Sequence, residues 1–230
     1  MRKLLFTGLL LLLAACSDES PESYIARAHE AMRQSEYAAA SIELKNALRL
    51  DPDSMEARWL LGKVYIETGE MPAASKELRR ALELGGTPDD IIPGLAEALL
   101  AQGEFQQVLD LQTQGLTAEP LAGLLAMQAQ AALATGDSWQ AEDLIDEALE
   151  RTPSSTAALL AKARLLSTRD EPDAASAVLD ELLKLDPEDA QGWSLQGDIR
   201  DEQGDLAGAL DAYNQAVRLA QNNAGDLLKR

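Results

Sequence analysis

A 34-residue period runs through most of this 230-residue chain and constrains its fold more than any other feature. The turn after each copy falls at Pro52, Gly86, Pro120, Pro153, Pro187 and Gln221, in steps of 34, 34, 33, 34 and 34 residues. Residue types recur within the copies. The second reads Leu61-Gly62-x-x-Tyr65, then Gly69, then Ala74-x-x-x-Leu78. The sixth reads Trp193-x-x-Gln196-Gly197, then Gly204, then Ala209-x-x-x-Tyr213. A unit of this length holds two antiparallel helices. It cannot bury its apolar face alone, so the copies must stack.

Period and pattern are those of the tetratricopeptide repeat. The expected fold is all-α, a right-handed superhelical solenoid with a concave groove. Six repeats are read over residues 21–222, at 21–54, 55–88, 89–121, 122–155, 156–189 and 190–222. First helices end at polar turns, where Gly69, Gly103, Gly136 and Gly204 supply a left-handed stop. Second helices are read to end near Asp51-Pro52, Glu119-Pro120, Thr152-Pro153 and Asp186-Pro187, since proline cannot extend them. Small residues mark the close helix crossings: Ala28, Gly62, Ala96, Ala129, Ala163 and Gly197 on first helices, Ala40, Ala74, Ala141, Ala175 and Ala209 on second helices. The third repeat departs from this pattern, with Val108 in the small place, Gln112 and Gly115 further on, and Pro93 read into the first turn of its first helix. It is expected to be the least stable. Residues 223–230 read as the start of a further helix or an unfinished cap.

The N-terminus carries a different signal. Met1-Arg2-Lys3 is a short basic head, and Leu4 to Leu13 is an apolar run too short to span a bilayer. Leu13-Ala14-Ala15-Cys16 follows and looks like a bacterial lipobox. That likeness implies cleavage after residue 15, a lipidated Cys16, and a tether over residues 16–20. A plain signal peptide with an incidental cysteine is the alternative. Cys16 is the only cysteine, so it has no intramolecular disulfide partner. Ser17 in place of the inner-membrane retention residue Asp points to the outer membrane, facing the periplasm.

The chain has 39 acidic and 20 basic residues and a net charge of −19. Loss of Arg2 and Lys3 with the signal would make it more acidic. This argues against nucleic-acid binding and against lying on anionic lipid, leaving the anchor as the expected membrane contact. One histidine, His29, and one cysteine leave no zinc set and no Ser–His or Cys–His pair. No phosphate loop or calcium loop is legible. The expectation is a binding protein with no cofactor and no metal, not an enzyme.

Groove positions follow from register on the first helices: Ile25, His29, Arg33, Trp59, Lys63, Glu67, Glu97, Ala126, Gln130, Leu160, Arg164, Ser194, Asp198 and Asp201. Trp59 is the leading contact candidate, because an exposed aromatic can anchor a ligand; burial against the next helix is the competing reading. Arg33, Lys63 and Arg164 are candidates for holding carboxylates of a peptide or an acidic glycan, against ordinary surface ion pairing. Gln130 completes the set. Envelope proteins are the expected partners.

Several segments carry a more specific resemblance. They are the lipobox, Ser20-Pro21-Glu22-x-Tyr24, Ile42-Glu43-Leu44-Lys45-Asn46-Ala47-Leu48-x-Leu50-Asp51-Pro52, and Ala57-Arg58-x-Leu60-Leu61-Gly62-Lys63-Val64-Tyr65. Lys76 to Leu82 and Leu95 to Phe105 continue the series. Together they resemble the N-terminal part of the repeat lipoproteins of the PEP-CTERM/exosortase system, the PrsT family. The resemblance implies a scaffold in exopolysaccharide production and export and in PEP-CTERM protein sorting, with no activity to assign to named residues. A pilotin-like or outer-membrane-assembly repeat lipoprotein is the alternative, since it also joins a lipobox to about six such repeats.

Overall fold

A computed structural model describes residues 19–229, with side chains to Ala220. The expected signal peptide, Cys16 and most of the tether lie outside the described residues. Every regular element among the described residues is an α-helix. The twelve helices are α1 (Pro21–Arg33), α2 (Tyr37–Leu50), α3 (Met55–Glu67), α4 (Met71–Glu83), α5 (Pro88–Ala101), α6 (Phe105–Leu109), α7 (Ala118–Thr135), α8 (Ser138–Arg151), α9 (Thr156–Thr168), α10 (Pro172–Leu185), α11 (Ala190–Glu202) and α12 (Leu206–Lys229). They form six successive hairpins. Each first helix from α3 onward also touches the first helix of the next repeat. The result is a tetratricopeptide solenoid.

Local chemistry explains the helix boundaries. Ser54, Ser155 and Asp189 cap α3, α9 and α11 by accepting a backbone N–H three residues on. Each follows the turn proline by two residues, so Pro52, Pro153 and Pro187 sit in the turn ahead of the helix. Gly69, Gly103, Gly136 and Gly204 adopt φ between 73° and 86° at the ends of first helices. Ser35 and Asp170 hold the same place in the first and fifth repeats with φ of 56° and 60°, a conformation that side-chain-bearing residues adopt at a cost.

The core lies between the paired helices. Ala28, Ala40, Ala74, Ala96, Ala129, Ala141, Ala163 and Ala175 are fully buried. A Cβ on Gly62 would lie 2.5 Å from Leu78 Cγ, and one on Gly197 would lie 2.6 Å from the Tyr213 ring. The helices approach too closely there for any side chain without displacement.

The third repeat is irregular in a way that corrects the expected boundaries. Its second helix, α6, is only five residues long and ends at Leu109, not near Glu119-Pro120. Glu119 and Pro120 instead lie in the first turn of α7, where a missing N–H costs nothing. Two residues after Pro120 stands Ala122, which has no capping side chain, so nothing starts the helix at the expected place. Pro88 opens α5, which moves Pro93 to the sixth position, inside the helix rather than in its first turn. Gln128 replaces the missing turns of α6. Its side chain is 4% exposed, and its Nε2 donates at 3.2 Å to the carbonyls of Val108, Leu109 and Leu111. Asp89 holds the far end of the loop, accepting from Thr117 N at 2.8 Å and Thr117 Oγ1 at 2.7 Å.

A second correction concerns the C-terminus. No new helix starts at residue 223; α12 continues unbroken to Lys229.

Candidate functional site

The first helices of the central repeats bound a continuous trough. A recess of about 700 Å³ is walled by Pro93, Gly94, Glu97 and Leu100 of α5, Phe105 of α6 and Met127 of α7. Ala101, Gln130, Ala134 and Gln191 complete it. A smaller recess of about 180 Å³ adjoins it, lined by Leu160 and Arg164 of α9 together with Leu133 of α7. Met127, Gln130 and Gln191 line both, which makes them one trough. Its walls are mostly apolar, with two amides in the middle. Glu97 is the only charged group of the larger recess and Arg164 the only one of the smaller.

The alternation of buried and open positions along α7 builds the trough floor. Leu125, Ala129 and Ala132 pack into the core, while Met127 and Gln130 turn outward. Phe105, the first residue of α6, stands at the rim, and after Leu109 the chain leaves as a loop.

Electrostatics differ at the two ends. Partial burial raises the Glu97 carboxyl above the ordinary carboxylate range, and the neighbouring Glu67 charge pushes it the same way. No cation among the described residues pairs with it. Arg164 donates from Nη2 to Gln191 Oε1 at 2.7 Å, and no carboxylate among the described residues forms an ion pair with it. Gln130 is exposed, and its amide makes no hydrogen bond to a described residue.

The five residues singled out from the sequence fall in three places. Gln130 and Arg164 share the central trough. Trp59 and Lys63 form a separate pair, the Lys63 ammonium 5.0 Å from the indole centroid. Trp59 is half-buried against the core, and its indole N–H donates to the Asp90 carbonyl at 3.1 Å. Its structural role is therefore the larger one: it ties α3 to the start of α5, and a ligand finds its nitrogen occupied. A recess of about 180 Å³ beside it, between Met55, Glu56, Thr87, Asp90 and Ile91, shares no residue with the trough. Arg33 pairs with Glu30 one turn back on its own helix, as an ordinary surface ion pair. Among the other groove positions, Ile25 is buried, His29 Nε2 meets Glu56 at 3.3 Å, and Asp198 accepts from Tyr213 Oη at 2.8 Å. That last bond is the main reason the Tyr213 hydroxyl is pushed up to about 12.

Phe105, Met127 and Gln191 were not legible as site residues. Phe105 lies on a second helix, which register assigns to the outer layer, yet as the first residue of α6 it lines the recess. Met127 sits on the flank of α7, one place from the buried Gln128. Gln191 stands in the first turn of α11, ahead of the register used to choose groove positions. Arg58 was missed as well. Its guanidinium donates to Glu77 at 2.5 Å and to the Pro52 carbonyl at 2.7 Å, so it clamps the turn before α3 to α4.

Among the described residues no helix is long and apolar enough to cross a membrane, and no cluster of His, Cys, Asp and Glu is placed to hold a metal ion. The chain is similar to anaphase-promoting complex subunit 7 of Mus musculus, 26% identical over 216 residues. The match covers 92% of this chain but only 38% of that protein. Pseudomonas aeruginosa PilF has a similar fold, with a TM-score of 0.63 and 21% identity over 86% of this chain and 91% of its own. PilW, described as a type IV pilus biogenesis factor, also gives 0.63, with 18% identity over 85% and 91%. The profile of the tetratricopeptide repeat family matches residues 25–90, 126–168 and 160–224. Between the first two matches it passes over 91–125, which holds most of α5, the short α6, the following loop and the first turns of α7. Spacing, paired helices and profile agree, and the chain belongs to the tetratricopeptide repeat family.

Proposed function

We propose that this chain is a lipid-anchored scaffold of the cell envelope that holds segments of partner proteins in the trough between α5 and α9. The observation that carries this reading is the trough itself: mostly apolar walls, the free amide of Gln130 and two charges without a charged partner among the described residues. Such a surface is built to bind rather than to transform. The lipobox around Cys16 supports anchoring, and Ser17 supports the outer membrane, facing the periplasm. The ordered resemblance to the PEP-CTERM/exosortase repeat lipoproteins supports a role in exopolysaccharide production and export. Chain-wide likeness of fold to PilF and PilW favours a second reading, a pilotin-like lipoprotein of pilus assembly.

One experiment separates these readings. A photo-crosslinking amino acid is placed at Gln130 in the full chain, in the envelope of its own host. A control probe replaces Trp139, an 80% exposed residue on α8 that lines neither recess. Adducts at 130 with glycan-export or sorting proteins are expected. Adducts with pilus or secretin components would favour the second reading. Adducts at 139 with none at 130 would overturn the trough as the working surface. In parallel, Cys16→Ala is expected to abolish labelled-palmitate incorporation; labelling that persists removes the anchor.

A further inference from the structure

We infer that the trough selects an extended, dipolar peptide, with a basic side chain against Glu97, an apolar side chain over Met127, and a carboxylate against Arg164. The inference rests on the binding role proposed for this trough and adds the chemistry of the occupant and its direction.

The argument starts from the charges. Glu97 is the single charged group in a recess whose other walls are apolar or amide. The nearest like charge, Glu67 on α3, acts on it from the adjoining helix, and the pair is uncompensated. Lys63, one turn before Glu67, has its ammonium over Trp59. A basic side chain entering here meets the Glu97 carboxylate, with the Glu67 charge adding to the field, in surroundings partly dehydrated by protein, where a charge pair is stronger than in water. At the other end Arg164 makes one hydrogen bond among the described residues, to an uncharged amide. A guanidinium has five N–H donors in a planar fork, and the remaining ones match a carboxylate.

The middle of the trough fits a backbone. Gln130 offers a donor and an acceptor on one side chain, the pair an extended peptide presents at each residue. Met127 is half-buried on the floor shared by both recesses, a flexible apolar surface that adapts to differing side chains. At about 700 Å³ the larger recess is an open depression with room for several side chains laid along it. The charge order, negative at α5 and positive at α9, sets one orientation for the occupant. An excess of 39 acidic over 20 basic residues adds long-range attraction for basic partners, but only the local pair at Glu97 and Arg164 sets direction.

The test uses the full lipidated chain in detergent and a phage-displayed library of random 12-residue peptides. Enriched peptides are expected to carry a Lys or Arg, an apolar residue and an Asp or Glu, with the apolar residue between the charges and one sequence order shared by all of them. Fluorescein-labelled copies are then titrated into wild type, Glu97→Gln and Arg164→Gln, with helicity checked by circular dichroism. Each substitution is expected to weaken binding about tenfold or more, as for loss of a charge-assisted hydrogen bond. Replacing the basic residue of the peptide by Gln should weaken wild type but leave Glu97→Gln unchanged. Gln130→Trp, which fills the trough, should abolish binding of every enriched peptide. Peptides without paired charges that bind all three proteins equally, yet are lost with Gln130→Trp, overturn the dipolar inference and leave the trough reading standing. Peptides that survive Gln130→Trp, or a selection that enriches nothing, overturn both.

Discussion

Glu97 shows how one position is shaped by neighbours that register alone does not reveal. Its place on an exposed face follows from the helical period. Its raised carboxyl does not, because the causes are the apolar wall around it and Glu67 on another helix. Folding raises the affinity of this group for a proton, so its ionisation costs the folded state free energy. The cost is fully present above the folded-state pKa and is relieved as pH falls through it towards the unfolded value of about 4.3. Glu97→Gln removes the charge without changing shape. It is expected to raise the melting temperature at pH 7.5, with a smaller gain at pH 5. Melts followed by circular dichroism at both values test this; a shift independent of pH, or a loss, would show that the carboxyl is as well hydrated folded as unfolded. Trp59 teaches the same lesson with opposite sign. Its position suggested a ligand contact, and a bond to a carbonyl 31 residues on makes it largely a structural residue.

Among the helices, what could be read in advance was whatever depends on local chemistry. Gly69, Gly103, Gly136 and Gly204 end helices because only their own backbone freedom is at issue. Gly62 and Gly197 mark crossings because the repeat places the same packing contact in every copy. The third repeat was legible as irregular from Val108, Gln112 and Gly115, but not as a one-turn helix, because the group that stabilises the short form is Gln128, 17 to 20 residues away. Likewise the early start of α7 depends on a missing cap at Ala122, and the occupancy of Trp59 on the packing of α3 against α5. A comparison between two equivalent positions makes the point measurable. Gln128 and Gln196 occupy the place that Leu61 and Leu95 fill in the second and third repeats, so leucine is a side chain this place accommodates. At Gln196 the Nε2 reaches Ser176 at 3.3 Å, while the buried Oε1 has no partner. Gln196→Leu is therefore expected to stabilise by about 1 kcal/mol. At Gln128 the same change takes the side-chain donor from the Leu109 and Leu111 carbonyls, while Val108 O keeps the Leu111 N–H, and it is expected to destabilise by about 1–3 kcal/mol. Urea titrations of both variants decide it, and equal signs would show that the capping role of Gln128 is wrong.

Across the whole array, stability is expected to be a chain of local terms, because each repeat leans mainly on its neighbours. Five of the six hairpins have two helices of 13 residues or more, and the third pairs α5 with the five-residue α6. A single turn has few hydrogen bonds of its own and cannot persist without packing. What holds it is Val108, fully buried, and the amide of Gln128. The loop that follows, residues 110–117, is largely exposed from Gln112 to Gly115. Direct packing of α5 on α7 still joins the two halves of the solenoid, so opening of α6 need not separate them. This arrangement predicts a graded response rather than one cooperative transition. In native-state hydrogen exchange, amides of residues 104–111 should exchange first, on the order of a hundredfold faster than those in the middles of α3, α4, α7 and α8, corresponding to a deficit of about 2.7 kcal/mol. Gln128→Leu should widen that gap while leaving α3 and α4 untouched. Limited proteolysis should cut first between residues 110 and 117. Protection of α6 equal to that of α4, or a first cut elsewhere among the described residues, would mean that the short helix is as firmly held as its full-length counterparts. The rim of the trough at Phe105 would then be rigid, and its partners would have to fit a fixed shape rather than one that opens at α6.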